Sequence, residues 1–249
     1  MQQITYKPKF TFVIPFQYRS DRILSLRRVI DWLNGFQGGE ILIVEQGKNS
    51  QLSGLNIRAN HLFVKSEVPF NKSWLYNIAI KRVFTPIIVF MEADVIMNPL
   101  HFIEALKSIE NLDCVFPCND VIKLNMNESQ QDFNGILSID RSDSKQNLCD
   151  GFSIFKRDSI WKIAGWNEDI LGLDGYDNKF QELKIKKSLS WKELEYKSYH
   201  LFHYPDRVND ELKNRNKQIF EHFEKSDIAT LRNHINQSGG KIGNLNKHS

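Results

Sequence analysis

Apolar residues fall into two patterns along this chain, short unbroken runs and helical repeats, and the two alternate. The most concentrated run, Ile87-Ile88-Val89-Phe90-Met91, is closed by Glu92-Ala93-Asp94. A run of this length, rich in β-branched residues, predicts a strand buried on both faces. Residues 10–15 and 40–45 predict two more strands, and Ile23, Leu26, Ile30 and Leu33 recur at helical spacing between them, with Gly35 as the stop. Strand, helix and strand in that order predict a parallel, right-handed βαβ unit. Residues 61–64 predict a third strand. Phe70-Asn71-Lys72-Ser73 opens a helix whose apolar side is Trp74, Leu75, Ile78 and Ala79, and which feeds directly into the 87–91 strand. Asn98-Pro99, a capping residue followed by proline at the first helical position, starts the next helix, with Phe102, Ile103, Leu106 and Ile109 as its buried stripe.

The second half is less regular. Cys114-Val115-Phe116 predicts a strand, and residues 119–147, rich in Asn, Asp, Ser and Gln, predict strands interrupted by loops. Phe152-Ser153-Ile154-Phe155 is a strand, and residues 159–164 a short helix ended by Gly165. A loop over 166–176 leads into a helix marked by Phe180 and Leu183. His200-Leu201-Phe202-His203 reads as a short strand or turn. Residues 209–225 form a charged helix with Leu212, Ile219, Phe220 and Phe223 facing inward, and residues 237–249, rich in Gly, Asn and Lys, are expected to fray. There is no internal repeat and no domain break. The expectation is one α/β domain over 1–207 with a mostly parallel central sheet flanked by helices, and a helical extension with a frayed tail over 208–249.

Composition narrows the function classes without choosing one. Hydrophobic residues at 41% and charged residues at 25% of 249 are ordinary for a globular chain. The net charge of +3 suits an anionic ligand and leaves room for peripheral contact with an anionic membrane surface. Lysines and arginines are interleaved with acids, which argues against nucleic acid as a partner. Three cysteines, none in a C-x-x-C pair, favour a reducing compartment. The first eight residues lack the apolar core of a signal peptide, and no apolar run approaches the roughly 20 residues that cross a bilayer. A cytoplasmic location is the expectation.

Four groups of residues could carry chemistry. Glu92 and Asp94 lie two apart at the end of a buried strand; if the chain is still extended there, both point to one side, and paired carboxylates suit a hard divalent cation. The same pair also reads as the solvated start of a loop. His200 and His203, three apart, can turn to one face as metal ligands or pack as aromatics beside Phe202 and Tyr204. Asp177 stands where a helix should begin, as an N-cap or as a general base on a loop lip. Arg19, Arg22 and Lys72 lie beyond strand ends or at a helix start, where cations and free helix N–H groups suit a diphosphate, or else form an ordinary solvated surface.

Taken together and in order, these segments resemble the GT-A glycosyltransferases, and among them the β-1,4-galactosyltransferase group and the family 2 glycosyltransferases. Phe12-Val13-Ile14-Pro15-Phe16 followed by Arg19 resembles the opening strand and loop. Phe70-Asn71-Lys72-Ser73-Trp74-Leu75-Tyr76-Asn77 is similar to an F-N-R-A-x-L-x-N segment, and Val89-Phe90-Met91-Glu92-Ala93-Asp94 stands in the place of a D-x-D strand. Gly151-Phe152-Ser153 and Ala164-Gly165-Trp166-Asn167-Glu168 resemble the G-G-x-S and N-G-F segments. Leu173-Asp174-Gly175-Tyr176-Asp177-Asn178 is similar to W-G-G-E-D-D, and His200-Leu201-Phe202-His203 falls on the metal-ligand segment. Three positions depart: Glu92 replaces an aspartate, Leu173 an acceptor-site tryptophan, and Tyr176 the glutamate before the base.

The resemblance implies a single GT-A, Rossmann-like domain and an inverting transferase that moves a sugar from a UDP-sugar to a hydroxyl of a glycan or lipid-linked glycan. It implies Mn2+ or Mg2+ held by Asp94, His200 and His203, with Asp177 as the base and Asp174 as the alternative. The donor would contact Pro15, Phe16, Arg19, Glu45 or Gln46, Asn71, Lys72, Glu92 and Gly151. Two competing readings remain. A sugar-phosphate nucleotidyltransferase would be expected to carry a glycine-rich loop after the first strand, which Pro15-Phe16-Gln17-Tyr18-Arg19 lacks. A non-catalytic nucleotide-sugar-binding or scaffold protein of a polysaccharide-assembly pathway would be consistent with the departures at Leu173 and Tyr176.

Overall fold

The structure, a computed structural model, describes residues 9–145, 148–172, 175–205, 209–238 and 241–247. β1 (Phe10–Gln17), α1 (Ile23–Leu33) and β2 (Gly39–Gly47) form the expected βαβ unit, with β1 and β2 parallel over their whole length. β3 (Asn60–Lys65) adds to β2 in parallel, and after α2 (Lys72–Ile80) the chain returns as β4 (Ile87–Met91), parallel to β1. Then follow β5 (Val95–Met97), α3 (Pro99–Ser108), β6 (Cys114–Lys123), α4 (Phe133–Leu137), β7 (Ser144–Lys145) and β8 (Phe152–Lys156). The last elements are α5 (Arg157–Lys162), α6 (Tyr176–Ser188), β9 (Trp191–His200), α7 (Asp210–Glu224) and α8 (Ile228–Ser238).

One sheet runs β3-β2-β1-β4-β8-β6-β9-β5, with β7 on β6. Its first four strands are parallel, as a βαβ series must be. Beyond β4 it is mixed: β8 runs antiparallel to both β4 and β6, β9 is parallel to β6, and β5 is antiparallel to β9. The expected mostly parallel sheet is therefore confined to the N-terminal half.

Alternation along β1 sets the two core faces. Phe10, Phe12, Ile14 and Phe16 join Trp32 of α1 and Phe102 of α3 on one side, while Val13 joins Trp74 of α2, Phe90 and Phe155 on the other. Phe12 and Phe102 lie 5.4 Å apart between ring centres, so α1 and α3 are locked to the same strand.

Four expectations are corrected. Ile103 is 39% exposed, and the buried stripe of α3 is Phe102, Ala105 and Ile109. The 119–147 stretch holds the end of β6, the helix α4 and the short strand β7. Where only a short strand or turn from His200 is expected, β9 runs over Trp191–His200, with Leu194, Tyr196 and Ser198 alternating with Glu193, Glu195 and Lys197 along it. Finally, within the tail expected to fray, residues 241–247 are docked: Ile242 is buried, and Trp74 Nε1 donates to the Asn244 carbonyl at 2.8 Å. No helix among the described residues is long and apolar enough to cross a membrane.

Candidate active site

A cleft of about 550 Å³ opens at the carboxyl ends of β1 and β4. This is where open α/β sheets bind ligands, because the strand order there leaves a crevice between diverging loops. Pro15, Phe16 and Arg22 form one wall, Lys72, Asp177 and Asn178 another, and Glu92, Ala93, Asp94, His200 and His203 meet between them.

β4 ends at Met91, and the chain turns through 92–94 before β5 begins at Val95. Glu92 and Asp94 are thus not partners on one extended edge. The turn separates them: Glu92 faces Lys72, while Asp94 faces the histidines. Asp94 Oδ2 lies 3.3 Å from His203 Nε2, and its Oδ1 lies 3.7 Å from His200 Nε2. β9 accounts for the histidines' arrival, because it pairs antiparallel with β5 and sets His200 opposite Val95. The backbone N–H of Leu201 donates to the Asp94 carbonyl at 2.7 Å, fixing the crossing.

Ligand atoms of Asp94, His200 and His203 all lie within 4.8 Å of one another. Two observations test whether they fit a metal ion. Asp94 is 5% exposed, and its Oδ1 has no hydrogen-bond partner among the described residues. His203 Nδ1 is 2.8 Å from the Tyr204 carbonyl, which can only accept, so Nδ1 carries the proton. In the neutral ring Nε2 then points a lone pair at a carboxylate, and a proton or a cation must bridge them. One carboxylate and two imidazoles are a ligand set for a divalent transition metal, and the carbonyl on the far ring nitrogen is the usual orienting partner.

A second charged cluster adjoins the first. Lys72, the first residue of α2, is buried, with Nζ 3.0 Å from Glu92 Oε1, 3.0 Å from Asn178 Oδ1 and 3.1 Å from Asp177 Oδ2. Burial alone would push the ammonium down, but Asp177 and Glu92 outweigh it and hold Lys72 well above the usual lysine range. Burial likewise acts to raise Glu92, and the charge and hydrogen bond of Lys72 hold it below the usual carboxylate range instead. Asn178 in turn donates to Asp150.

The remaining expected site residues take other places. Asp177 is the second residue of α6 and not its N-cap; Gly175, with φ of 80°, occupies the cap. Asp174 and Leu173 lie outside the described residues. Arg19 is absent from the cleft lining. It pairs with Asp21 at 2.7 Å, and Asp21 accepts from the Tyr204 backbone N–H at 3.1 Å, so this pair acts on the position of the histidine segment. Burial pushes the Asp21 carboxyl up, and its bonds with Arg19 and Tyr204 more than reverse this. Glu45 accepts from Ser50 Oγ, the Gln51 backbone N–H and His61, and so holds the loop after β2. Gln46 and Asn71 stand behind the wall: Gln46 Oε1 accepts from the Asn71 backbone N–H at 2.9 Å, while Asn71 caps α2 by accepting from Trp74 N–H. The Gly151 carbonyl accepts from the Glu92 backbone N–H at 3.1 Å and so shapes the turn.

Asp150 and Lys123 line the cleft without having been singled out in sequence. Lys123 ends β6 and lies in register with His200, a placement that becomes visible only once β9 is known.

No protein-family model matches the chain, and no curated protein is similar to it in sequence. Solved structures are similar in fold. The catalytic domain of Drosophila β1,4-galactosyltransferase 7, in complex with xylobiose, aligns over 88% of this chain and 81% of its own with a TM-score of 0.55 at 12% identity. Staphylococcus aureus TarS 1–349 with UDP-GlcNAc aligns over 95% and 72%, with a TM-score of 0.57 at 13% identity. Glucosyl-3-phosphoglycerate synthase from Mycobacterium tuberculosis, with Mn2+, UDP and phosphoglyceric acid, aligns over 89% and 80%, with a TM-score of 0.56 at 13% identity. A parallel β3-β2-β1-β4 half, a mixed second half and a cleft at the carboxyl ends of β1 and β4 give this chain the GT-A fold of glycosyltransferases.

Proposed function

We propose that this protein is a metal-dependent glycosyltransferase that moves a sugar, with inversion, from a nucleoside-diphosphate sugar to a hydroxyl group. A UDP-sugar is the donor and a glycan or lipid-linked glycan the acceptor. The observation that carries this reading is the Asp94–His200–His203 cluster in the wall of the cleft, with ligand atoms within 4.8 Å of one another and Asp94 Oδ1 unpartnered among the described residues. Charge supports it. The cleft is lined by four carboxylates (Glu92, Asp94, Asp150 and Asp177) against three cations, Arg22, Lys72 and Lys123. An anionic nucleotide is repelled by that balance until a divalent cation reverses it. The known ligands of proteins with this fold, UDP-GlcNAc for TarS and UDP with Mn2+ for the phosphoglycerate synthase, point the same way.

When bound, Mn2+ or Mg2+ supplies Lewis-acid stabilisation to the departing diphosphate. Asp94, His200 and His203 hold it, and Asp21 with Arg19 keeps the histidine segment in place. Pro15 and Phe16 form the donor wall, and Lys72 adds a cation toward the diphosphate. An acceptor oxygen attacks the anomeric carbon from the face opposite the diphosphate. The anomeric C–O bond breaks with its electron pair leaving on the diphosphate, and the acceptor's proton passes to the Asp177 carboxylate. General-base help of this kind is worth about 10²–10⁴-fold.

Calorimetric titration of UDP with and without Mn2+, on wild type and His203→Ala, tests the reading. Binding that needs Mn2+ and is lost in the variant is expected. Equal binding without metal, or binding indifferent to His203, would overturn the metal assignment. Multiple turnover with a panel of UDP-sugars then separates an enzyme from a nucleotide-sugar-binding protein.

A further inference from the structure

Lys72 is placed to do more than contact a nucleotide. Its ammonium lies within 3.1 Å of groups on two separate segments: Glu92 on the turn after β4, and Asn178 and Asp177 at the start of α6. The residue is 5% exposed and Asp177 is 4% exposed, so water does little to loosen the pair. Asp177 Oδ2 has no partner in hydrogen-bonding geometry, and the contact with Lys72 is a close ion pair. An acceptor hydroxyl that approaches this carboxylate must compete with an ammonium 3.1 Å away. Yet Lys72 also lines the cleft beside Glu92, two residues from the metal ligand Asp94.

We propose that Lys72 masks Asp177 in the empty site and unmasks it when a donor diphosphate takes the ammonium, so that the base is released only with the donor in place. The proposal rests on the reading of the cleft as a nucleotide-sugar site. It involves an exchange of ion pairs and no covalent step. Glu92 and Asn178 act as the fixed side of the exchange: they hold Nζ at the cleft wall while the contact with Asp177 gives way to a phosphate oxygen. Burial sets a cost on the exchange, because Asp177 is left without its cation until the acceptor's proton arrives.

Competition for one ammonium has a signature that a structural ion pair lacks. Replacing Asp177 by the isosteric Asn removes the competitor, so the diphosphate should gain Lys72 outright. UDP affinity in the presence of Mn2+ should rise by about tenfold, the order of one charged hydrogen bond, while transfer falls. Uridine, which has no phosphate, should bind Asp177→Asn and wild type equally. Lys72→Gln, which leaves Asp177 without its cation, should weaken UDP but not uridine, and in that background Asp177→Asn should bring no gain. Thermal melting of each variant confirms that it is folded. Unchanged or weaker UDP binding by folded Asp177→Asn would overturn the proposal, as would a gain shared by uridine. If Asp177→Asn does not fold, Lys72→Gln decides alone: equal loss for UDP and uridine overturns it. Failure of wild type to bind UDP at all strikes the nucleotide reading and takes the switch with it, whereas UDP binding indifferent to these variants strikes only the switch.

Discussion

Two buried polar environments lie only five positions apart along α2, at Lys72 and at Asn77, and they are built on opposite rules. At its start, Lys72 is shared among Glu92, Asp177 and Asn178, and the neighbouring Asp94 keeps an unpartnered oxygen. Five residues on, the side-chain oxygen and nitrogen of Asn77 are both paired. Its Oδ1 accepts from the Trp166 N–H at 2.8 Å, and its Nδ2 donates to the Trp166 carbonyl at 2.9 Å and to Glu168 Oε1 at 2.8 Å. Glu168 then accepts from the Gly243 N–H and pairs with Lys247, which fastens the 241–247 segment onto α2. A side chain whose polar atoms are all paired, as Asn77's are, makes a joint; an unpartnered charged oxygen, as on Asp94, makes a site that a ligand can complete.

The joint should break hardest. Gly165 has φ of +60°, and a Cβ there would lie 2.2 Å from Asn77 Oδ1 and 2.8 Å from Ile242. Gly165→Ala should cost about 3 kcal/mol or more in urea denaturation, from backbone strain and overpacking together. Its remaining folded fraction should bind UDP normally; a cost below about 1 kcal/mol would mean the joint can give way.

The site should respond the other way. Asp94→Ala removes a buried, half-paired carboxylate, so stability should stay level or rise by about 1 kcal/mol. Mn2+-dependent UDP binding should nevertheless fall by more than about 100-fold, because a ligand is lost outright. Destabilisation with metal-dependent binding retained would erase the distinction between the two environments.

The smallest expected effect sharpens the joint's electrostatics. Lys184 is buried behind it, donating to the Ile163 and Gly165 carbonyls, and burial pushes its ammonium down to about 7. An unfolded lysine titrates near ~10.4. Between those values the unfolded chain holds the extra proton, so this group adds stability as pH rises from 7 towards 10 and adds no slope below 7. The slope is at most about 1.4 kcal/mol per pH unit. Melting temperatures taken across that range should climb in wild type and climb less in Lys184→Met.

Local signals made the N-terminal half legible. The 87–91 run, the βαβ unit and the Asn71 and Asn98 caps depend on neighbours in sequence, and each formed where its pattern put it. The site was legible as residue types in order, since Asp94, His200, His203, Lys72 and Asp177 do converge on one cleft. Sequence could not show what each touches. Glu45 and Arg19 read in sequence as ligand-binding residues, and their bonds to the loop at 50–52 and to Asp21 are visible only in the structure. β9 was missed because glutamates and lysines dilute its alternation, and its partners β6 and β5 lie far away in sequence. The docked tail was missed for a related reason: Gly243 reads as disorder by composition, but its positive φ and lack of a side chain are what let it lie against the Asn77 backbone.

The position of β9 also bears on how the chain acquires its cation. The strand inserts between β6 and β5, and the Asp21–Tyr204 contact beside it closes a span of 183 residues. Contacts of such separation are made only after much of the chain's entropy has been surrendered, and they come late in folding. Helices and the β1–β2 pair can assemble before any cation has a place to bind. On the proposed function, a cation would therefore select chains whose sheet is already complete, and recovery of metal affinity during refolding would mark a late event and not the first.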